Sequence, residues 1–351
     1  MNGFFKNIHG DPIFLAGLQA HNSSTGTDML DKAIHAIHLY GGNVLETPIY
    51  WYDIEPEMNV YRMDMVKDTI DRCRAANLHL ILLWFGTSKN GHPNYVPEYI
   101  KLDPMTYRLA RSVDGAPLAA LTPHCMATLE RDALAFEQVM SFLKEYDGQT
   151  GTVVAMQIEN EMGIGYTDRD YSSLARADYE KPLPSELWDV QLEDCGEVSG
   201  ANTWRGHFGR HAHEAFCAWY HARYIGTIAE RGRKIYPFPA LITNVMVGES
   251  RFEEPGKCYN AGAAVGRVLD IWKKGAPELD LLCPDIYNPE ASAYNRIAGR
   301  YARPDNALFV PESPATGEPN SLHAIRAVAE YGAIGICGFG AESALDNDGN
   351  L

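Results

Sequence analysis

The sequence predicts a (β/α)₈ barrel, on three observations. Eight short apolar runs rich in β-branched residues recur along the chain, longer stretches of helical period separate them, and no run leads into GxGxxG or GxxxxGK[ST]. Near-continuous apolar strands alternating with helices require parallel pairing with both sheet faces covered, and eight is the number that closes the ring. The missing phosphate-binding signatures argue against the alternative, a doubly wound open sheet.

The strands are expected at 12–22, 42–51, 78–86, 152–161, 239–247, 279–288, 307–314 and 333–343. Between them lie helical stretches such as TDMLDKAIHAIHLY, YRMDMVKDTIDRCRAAN, TLERDALAFEQVMSFLKEY, HEAFCAWYHARYIGTIAERG and SLHAIRAVAEYG. Thr27 or Asp28 is placed to cap the first of these, and Gly232 and Gly332 fall where helices should stop. Residues 164–206 form an insertion after the fourth strand, far longer than an ordinary βα loop and expected over the barrel mouth. The sequence ends at ALDNDGNL with no room for an eighth helix, so a single catalytic domain over 1–351, truncated after strand eight, is expected.

Composition bounds the chemistry. A chain of 351 residues, 46% hydrophobic, can bury a core of barrel size. The formal net charge is −16 with no Lys/Arg block, which excludes a phosphate-backbone partner such as nucleic acid. No apolar run approaches the ~20 residues that span a bilayer, and the start MNGFFKNIHGDPIF lacks a signal-peptide pattern. The expectation is a soluble chain with no membrane partner, cytoplasmic as given, or periplasmic or secreted after loss of a leader; a homo-oligomer is allowed. Seven cysteines without a CxxC pair fit reduced thiols. The stretch HFGRHAHEAFCAWYH sets His207, His211, His213 and Glu214 on a helix, but Cys217 stands where HExxH needs its second histidine, so no metal is expected.

Barrel active sites lie where the strands end. Those ends carry Gln19, His21 and Asn22 on the first, Trp51 on the second, Trp84 on the third, and Gln157, Glu159, Asn160 and Glu161 on the fourth. The fifth offers Asn244, the sixth Asp285, Tyr287 and Asn288, the seventh Glu312 and the eighth Glu342. Glu161 and Glu312 come from opposite walls of the ring and can face each other across its mouth. A proton-donating carboxyl opposite an ionised one is what cleavage of a glycosidic bond needs. Strict alternation would put Glu159 and Glu161 on one face and Asn160 on the other, so a bulge is required to bring Asn160 and Glu161 into the pocket together. Trp51, Trp84 and Tyr287 are expected to offer flat apolar faces to a sugar ring. Glu159 reads as a supporting residue, and Glu55 and Glu57 as carboxylates bracing the second βα turn. A Schiff-base lyase is disfavoured because no lysine ends an expected strand; a glycan-binding barrel without turnover is the other alternative.

QIENEMG on strand four and FVPES on strand seven resemble the clan of retaining glycosidases whose acid/base follows an asparagine and whose nucleophile ends strand seven. Within that clan the chain is similar to family 35 β-galactosidases, particularly a bacterial branch with an extra C-terminal domain. NVLETPIYWYDIEP, TWRGHFG, AWYHARYI, DIWKKGAPELDLLCPDIYNP and AIGICGFGAES accompany the two motifs in the same order. The resemblance implies Glu161 as general acid/base, Glu312 as nucleophile, Asn160 as partner of the sugar 2-hydroxyl and Tyr287 as support for the nucleophile. Gln19, Asn22, Trp51, Trp84, Asn244 and Glu342 are further pocket residues. It implies a carbohydrate substrate, terminal β-linked galactose, and no cofactor; β-glucoside, β-mannoside and β-glucosaminide are the alternatives.

Overall fold

The computed structural model describes residues 3–247, 254–346 and 348–350. Eight parallel strands form a nearly closed barrel: β1 Leu15–Gln19, β2 Val44–Tyr50, β3 His79–Lys89, β4 Val153–Asn160, β5 Ala240–Met246, β6 Leu281–Asp285, β7 Phe309–Val310 and β8 Gly335–Phe339. The ladder runs β6–β5–β4–β3–β2–β1–β8–β7. The seam between β6 and β7 has no ladder among the described residues, and Pro284 brings no N–H to it. Asn306 spans the gap instead, accepting from the Leu282 N–H at 2.9 Å and donating to its carbonyl at 3.0 Å. Above it the Ile286 N–H donates to the Glu312 carbonyl at 2.8 Å, so the seam closes beside an expected catalytic residue.

Period-2 alternation sorts the strand residues. Leu15, Val44, Ile81, Leu83, Ala155, Ile242, Leu281, Cys283, Phe309 and Cys337 fill the barrel interior. Leu45, Leu80, Leu82, Trp84, Met156, Leu241 and Leu282 point outward and bury against the helices. Those helices are α1 Met29–Tyr40, α2 Asp64–Ala75, α3 Met126–Tyr146, α4 Ala212–Ile235, α5 Leu269–Gly275, α6 Ala291–Tyr301 and α7 Glu318–Tyr331. At the start of α1, Thr27 Oγ1 accepts from the Met29 N–H at 3.2 Å; Gly332 ends α7 in the left-handed region, φ 63°. Gly232 does not stop α4, which runs on to Ile235. A Cβ there would stand 2.4 Å from Phe136 Cε1, so this glycine lets α3 and α4 approach closely.

Two further expectations are corrected. β3 continues three residues past 86 and ends on a lysine, Lys89. The insertion does not simply cover the mouth: Leu183, Leu187 and Val190 join the core outside the barrel, Trp204 packs edge-on to Phe216 of α4, and Asp189 pairs with Lys274 at the far end of α5 at 2.8 Å. Its first residues do stay at the mouth, where Ile164 and Tyr166 hydrogen-bond to Ala261 and Gly256. Among the described residues a short 3₁₀ turn, Ala341–Ala344, follows β8. A groove of about 580 Å³ on the barrel's outside, lined by Leu18, Tyr40, Ile325, Val328 and Ile336, lies between α7 and the end of α1.

Candidate active site

The end of β4 departs from strand geometry where the sequence reads IENE. Glu159 and Glu161 hold φ of 61° and 47°, left-handed values that cost a non-glycine residue energy. The ladder to β3 jumps from Trp84 opposite Ile158 to Lys89 opposite Asn160, so Phe85–Ser88 bulge outward against a single residue of β4. Glu159 clips that bulge: its Oε1 accepts from the Thr87 N–H and hydroxyl, both at 2.9 Å, and its Oε2 from the Ser88 N–H at 2.7 Å. Glu159 therefore turns toward β3 and α3, away from Glu161, and the irregularity lies in β3, not at the end of strand four where the alternation argument put the bulge.

Asn160 and Glu161 turn together into the mouth. One oxygen each from Glu161, Asp285 and Glu312 lies within 4.8 Å of the other two, and all three side chains are buried. Asn244 of β5 connects them. Its Oδ1 accepts from the Glu161 N–H at 2.9 Å, and its Nδ2 donates to Asp285 Oδ2 at 2.8 Å and to Glu312 Oε1 at 3.4 Å. Glu312 also accepts from Gln19 Nε2 at 3.1 Å and from the Tyr287 hydroxyl at 2.9 Å. The Asn160 amide fits with its oxygen on Lys89 Nζ at 2.8 Å and its nitrogen facing Glu312 Oε1 at 3.2 Å. Glu312 is thus the carboxylate best served by donors.

Glu161 is treated differently. Burial, and then repulsion from Glu312, push its carboxyl up to about 7, with the Lys89 charge and the Asp285 hydrogen bond acting in the opposite direction. Burial first, then Glu312 and Glu161, hold Asp285 well above the usual carboxylate range. Burial, then Glu312 and Asp285, raise the Tyr287 hydroxyl, which keeps it a hydrogen-bond donor.

Gln19, Asn160, Glu161, Asn244, Tyr287 and Glu312 therefore meet in one network. The other pocket residues stand apart from it. Asn22 sits beyond β1, its carbonyl accepting from the Tyr50 hydroxyl at 2.7 Å. Glu342 accepts from the His21 N–H at 3.0 Å and braces the loop after β1. Trp51 and Trp84 do not reach the mouth: both are fully buried outside the barrel, their indole N–H groups spent on Glu55 at 3.0 Å and Asp132 at 2.8 Å. The aromatic faces at that end of the barrel belong instead to Tyr50, Tyr52 and Tyr95, stacked with centroids 5.1–5.9 Å apart. Glu55 braces its turn as expected, also accepting from Asn59 and Tyr99 and pairing with Arg131. His207 bonds to the Val190 carbonyl and His213 to Asp168, while Glu214 takes Arg267 and Tyr259.

Sequence reasoning named Asp285 at its strand end without a role, and passed over Lys89 and Glu46. Asp285 follows Leu281 and Cys283 on the inward face of β6, a parity that marks it as pointing in. Lys89 was hidden by the bulge. Glu46 of β2 lies fully buried inside the barrel against the Cys337 thiol, and burial holds its carboxyl well above the usual range. Beside the acids, a cavity of about 210 Å³ is lined by Asn90, His92, Tyr166, Met246 and Asn260, whose Nδ2 donates to the Glu161 carbonyl at 3.0 Å. The larger outer groove has no such cluster of ionisable groups, so chemistry and not volume places the site.

No protein-family model matches the chain, and neither does any curated protein sequence. Solved structures do. The catalytic domain of a β-amylase from Paenibacillus polymyxa superposes with a TM-score of 0.68 at 12% identity, over 96% of this chain and 94% of the amylase domain. A β-galactosidase from the haloarchaeon Halorubrum lacusprofundi gives 0.65 at 16% identity, over 93% of this chain and 52% of its own. An exo-β-1,4-mannosidase from Opitutaceae bacterium strain TAV5 gives 0.59 at 13% identity, over 100% of this chain and 59% of its own. This chain thus spans about half the length of the galactosidase. At these identities the likeness establishes the fold alone, a TIM barrel.

Proposed function

We propose that the chain is a retaining glycoside hydrolase that removes terminal β-linked galactose from oligo- or polysaccharides. The observation that carries the reading is the pairing of Glu161 with Glu312 across the barrel mouth, an oxygen of each within 4.8 Å of the other. That spacing favours direct attack, for which carboxyls stand ~5–5.5 Å apart, over the ~6.5–9.5 Å that leaves room for a water. The unequal environments supply the division of labour: Glu312, held by Gln19, Tyr287 and Asn244, stays oriented as a nucleophile, and Glu161, pushed up to about 7, can carry a proton near neutrality.

In the first step Glu312 attacks the anomeric carbon as the glycosidic C–O bond breaks and Glu161 gives its proton to the leaving oxygen. In the second, water attacks the glycosyl ester, its proton passes to Glu161, and the Glu312 carboxylate is regenerated. Neither step needs a cofactor. Asn160, next to both acids, is the residue placed to meet the 2-hydroxyl. Galactose as the sugar rests on the ordered family 35-like motifs and on the β-galactosidases among the structural neighbours.

The test is hydrolysis of aryl β-galactoside, β-glucoside, β-mannoside and β-glucosaminide. Galactoside turnover should be fastest, Glu312→Gln should abolish it, and Glu161→Ala should spare the first step when the leaving group is already good. Equal loss of both steps in both variants would reject the assigned roles, and turnover confined to another sugar would replace the substrate.

A further inference from the structure

Asp285 stands among the reacting carboxyls, yet the two-carboxyl reaction gives it nothing to do. It ends β6 with its side chain buried and held in place, Oδ2 accepting from Asn244 at 2.8 Å. The Glu161 carboxyl lies against it. The charged and titratable groups facing Asp285 are Glu161 from the end of β4, Glu312 beyond β7, Lys89 from the end of β3, the Tyr287 hydroxyl, and the Cys283 thiol below it on its own strand. Three carboxylates face one lysine. Two of them ionised in contact repel, so while Glu312 is ionised the other two are stabilised by a proton held between their oxygens.

We propose that Asp285 is a positioning residue that shares one proton with Glu161, so that the proton-donating unit is a pair of carboxyls and not Glu161 alone. This rests on the glycosidase reading for its use but not for its geometry. Charge counting supports it. With Glu312 ionised and one proton on the pair, the three groups carry two negative charges. When the pair gives its proton to the leaving oxygen and Glu312 becomes an ester, the count is again two, and water returns the proton as the ester is released. The cluster therefore passes through both steps at constant charge opposite Lys89, with no carboxyl needing to ionise against two charged neighbours. Burial first, and then Glu312, raise both members of the pair, while the hydrogen bond between them raises Asp285 and lowers Glu161, as an unequally shared proton requires.

The experiment is the pH profile of kcat/KM for an unactivated β-glycoside in wild type and Asp285→Asn. The amide is neutral and still donates toward Glu161, so the proton should leave Glu161 more readily and the alkaline limb should move down by about one pH unit or more, about tenfold in proton affinity. Rates on a dinitrophenyl glycoside, whose first step needs no acid, should keep their limb. Superimposable alkaline limbs on the unactivated substrate would overturn the proposal. A readout free of turnover is the carboxyl ¹³C titration of the wild-type protein. Glu161 and Asp285 should titrate as one coupled pair, and independent single-step curves would overturn the proposal without any variant. If wild type hydrolyses no glycoside while the titrations remain coupled, the glycosidase reading falls and the shared proton stands.

Discussion

On the outer side of the β4 end, Glu159 and Asp132 are buried against each other; on the inner side, Glu161, Asp285 and Glu312 are buried nearly as deeply. Burial raises Glu159, Asp132, Glu161 and Asp285 alike, so neither depth nor the direction of titration separates the two clusters. Hydrogen bonding does. Outside, Glu159 takes three donors from Thr87 and Ser88, and Asp132 takes the Trp84 indole at 2.8 Å and the Tyr224 hydroxyl at 3.0 Å. Inside, Gln19 Oε1 is buried with no partner, and Asp285, beyond the Asn244 amide, has only the Glu161 carboxyl against it. Unsatisfied acceptors are expensive in a structural core and useful where a substrate or a moving proton will complete them. The outer pair builds the bulge; the inner side keeps acceptors open at Gln19 and Asp285.

The sharpest way to break this comparison is to make the same change on both sides. Glu161→Gln should lower turnover of an unactivated glycoside by about 10²–10⁴-fold, the usual contribution of a general acid, and should leave stability unchanged or improved because a crowded charge is gone. Glu159→Gln should do the reverse. Its amide must face a backbone N–H, leaving a buried donor unmatched at about 1–3 kcal/mol, so the melting temperature falls by several degrees while the catalytic loss stays far smaller. Thermal melts beside initial rates decide it, and a Glu159 variant as inactive as the Glu161 variant would erase the distinction.

The two sides of this turn were not equally legible in the sequence. The eight runs gave the barrel because a parallel sheet covered on both faces must be apolar throughout. That same property concealed which way the large aromatics point. Trp84 shares parity with Leu80 and Leu82 on the outer face, and Leu83 and Phe85 turn inward; an uninterrupted apolar string carries no alternation to reveal this. Polar residues at run ends were readable because they break the string, and Gln19, Asn160, Glu161, Asn244, Tyr287 and Glu312 do assemble. Lys89 was not readable, since its placement depends on four bulged residues held by a carboxylate seventy positions later in the chain.

Gly86 tests that dependence with a smaller expected effect. A Cβ at this position would stand 2.6 Å from Trp84 Nε1, 2.7 Å from Glu159 Oε1 and 2.9 Å from Asp132 Oδ1, so Gly86→Ala must push the outer cluster apart. The overpacking should lower stability by about 1–3 kcal/mol. Activity should fall as well, because Thr87 and Ser88 carry the chain to Lys89 and so fix the Asn160 amide. Denaturant melts and kcat/KM, read together, show whether the outer side positions the inner one. A destabilised variant with unchanged kcat/KM would mean that it does not.

The smallest effect concerns stability against pH. A carboxyl raised from its ordinary 4.5 to about 7 on folding binds its proton more tightly in the folded chain, so between those values the folded state holds more protons than the unfolded one. Stability therefore falls as pH rises through this window, the opposite of a salt-bridged carboxylate. The outer pair contributes in the same direction, which is why the wild-type slope alone cannot be divided between the clusters. Glu161→Gln removes one raised group from the inner cluster and leaves the outer pair intact. Its melting temperature between pH 5 and 8 should decline less steeply than that of wild type, the two proteins differing most at the alkaline end, where the wild type must hold an ionised Glu161 beside Glu312. Parallel slopes would mean that Glu161 folds as an ordinary ionised carboxylate, and the inner cluster would then have no stored repulsion for a substrate to relieve.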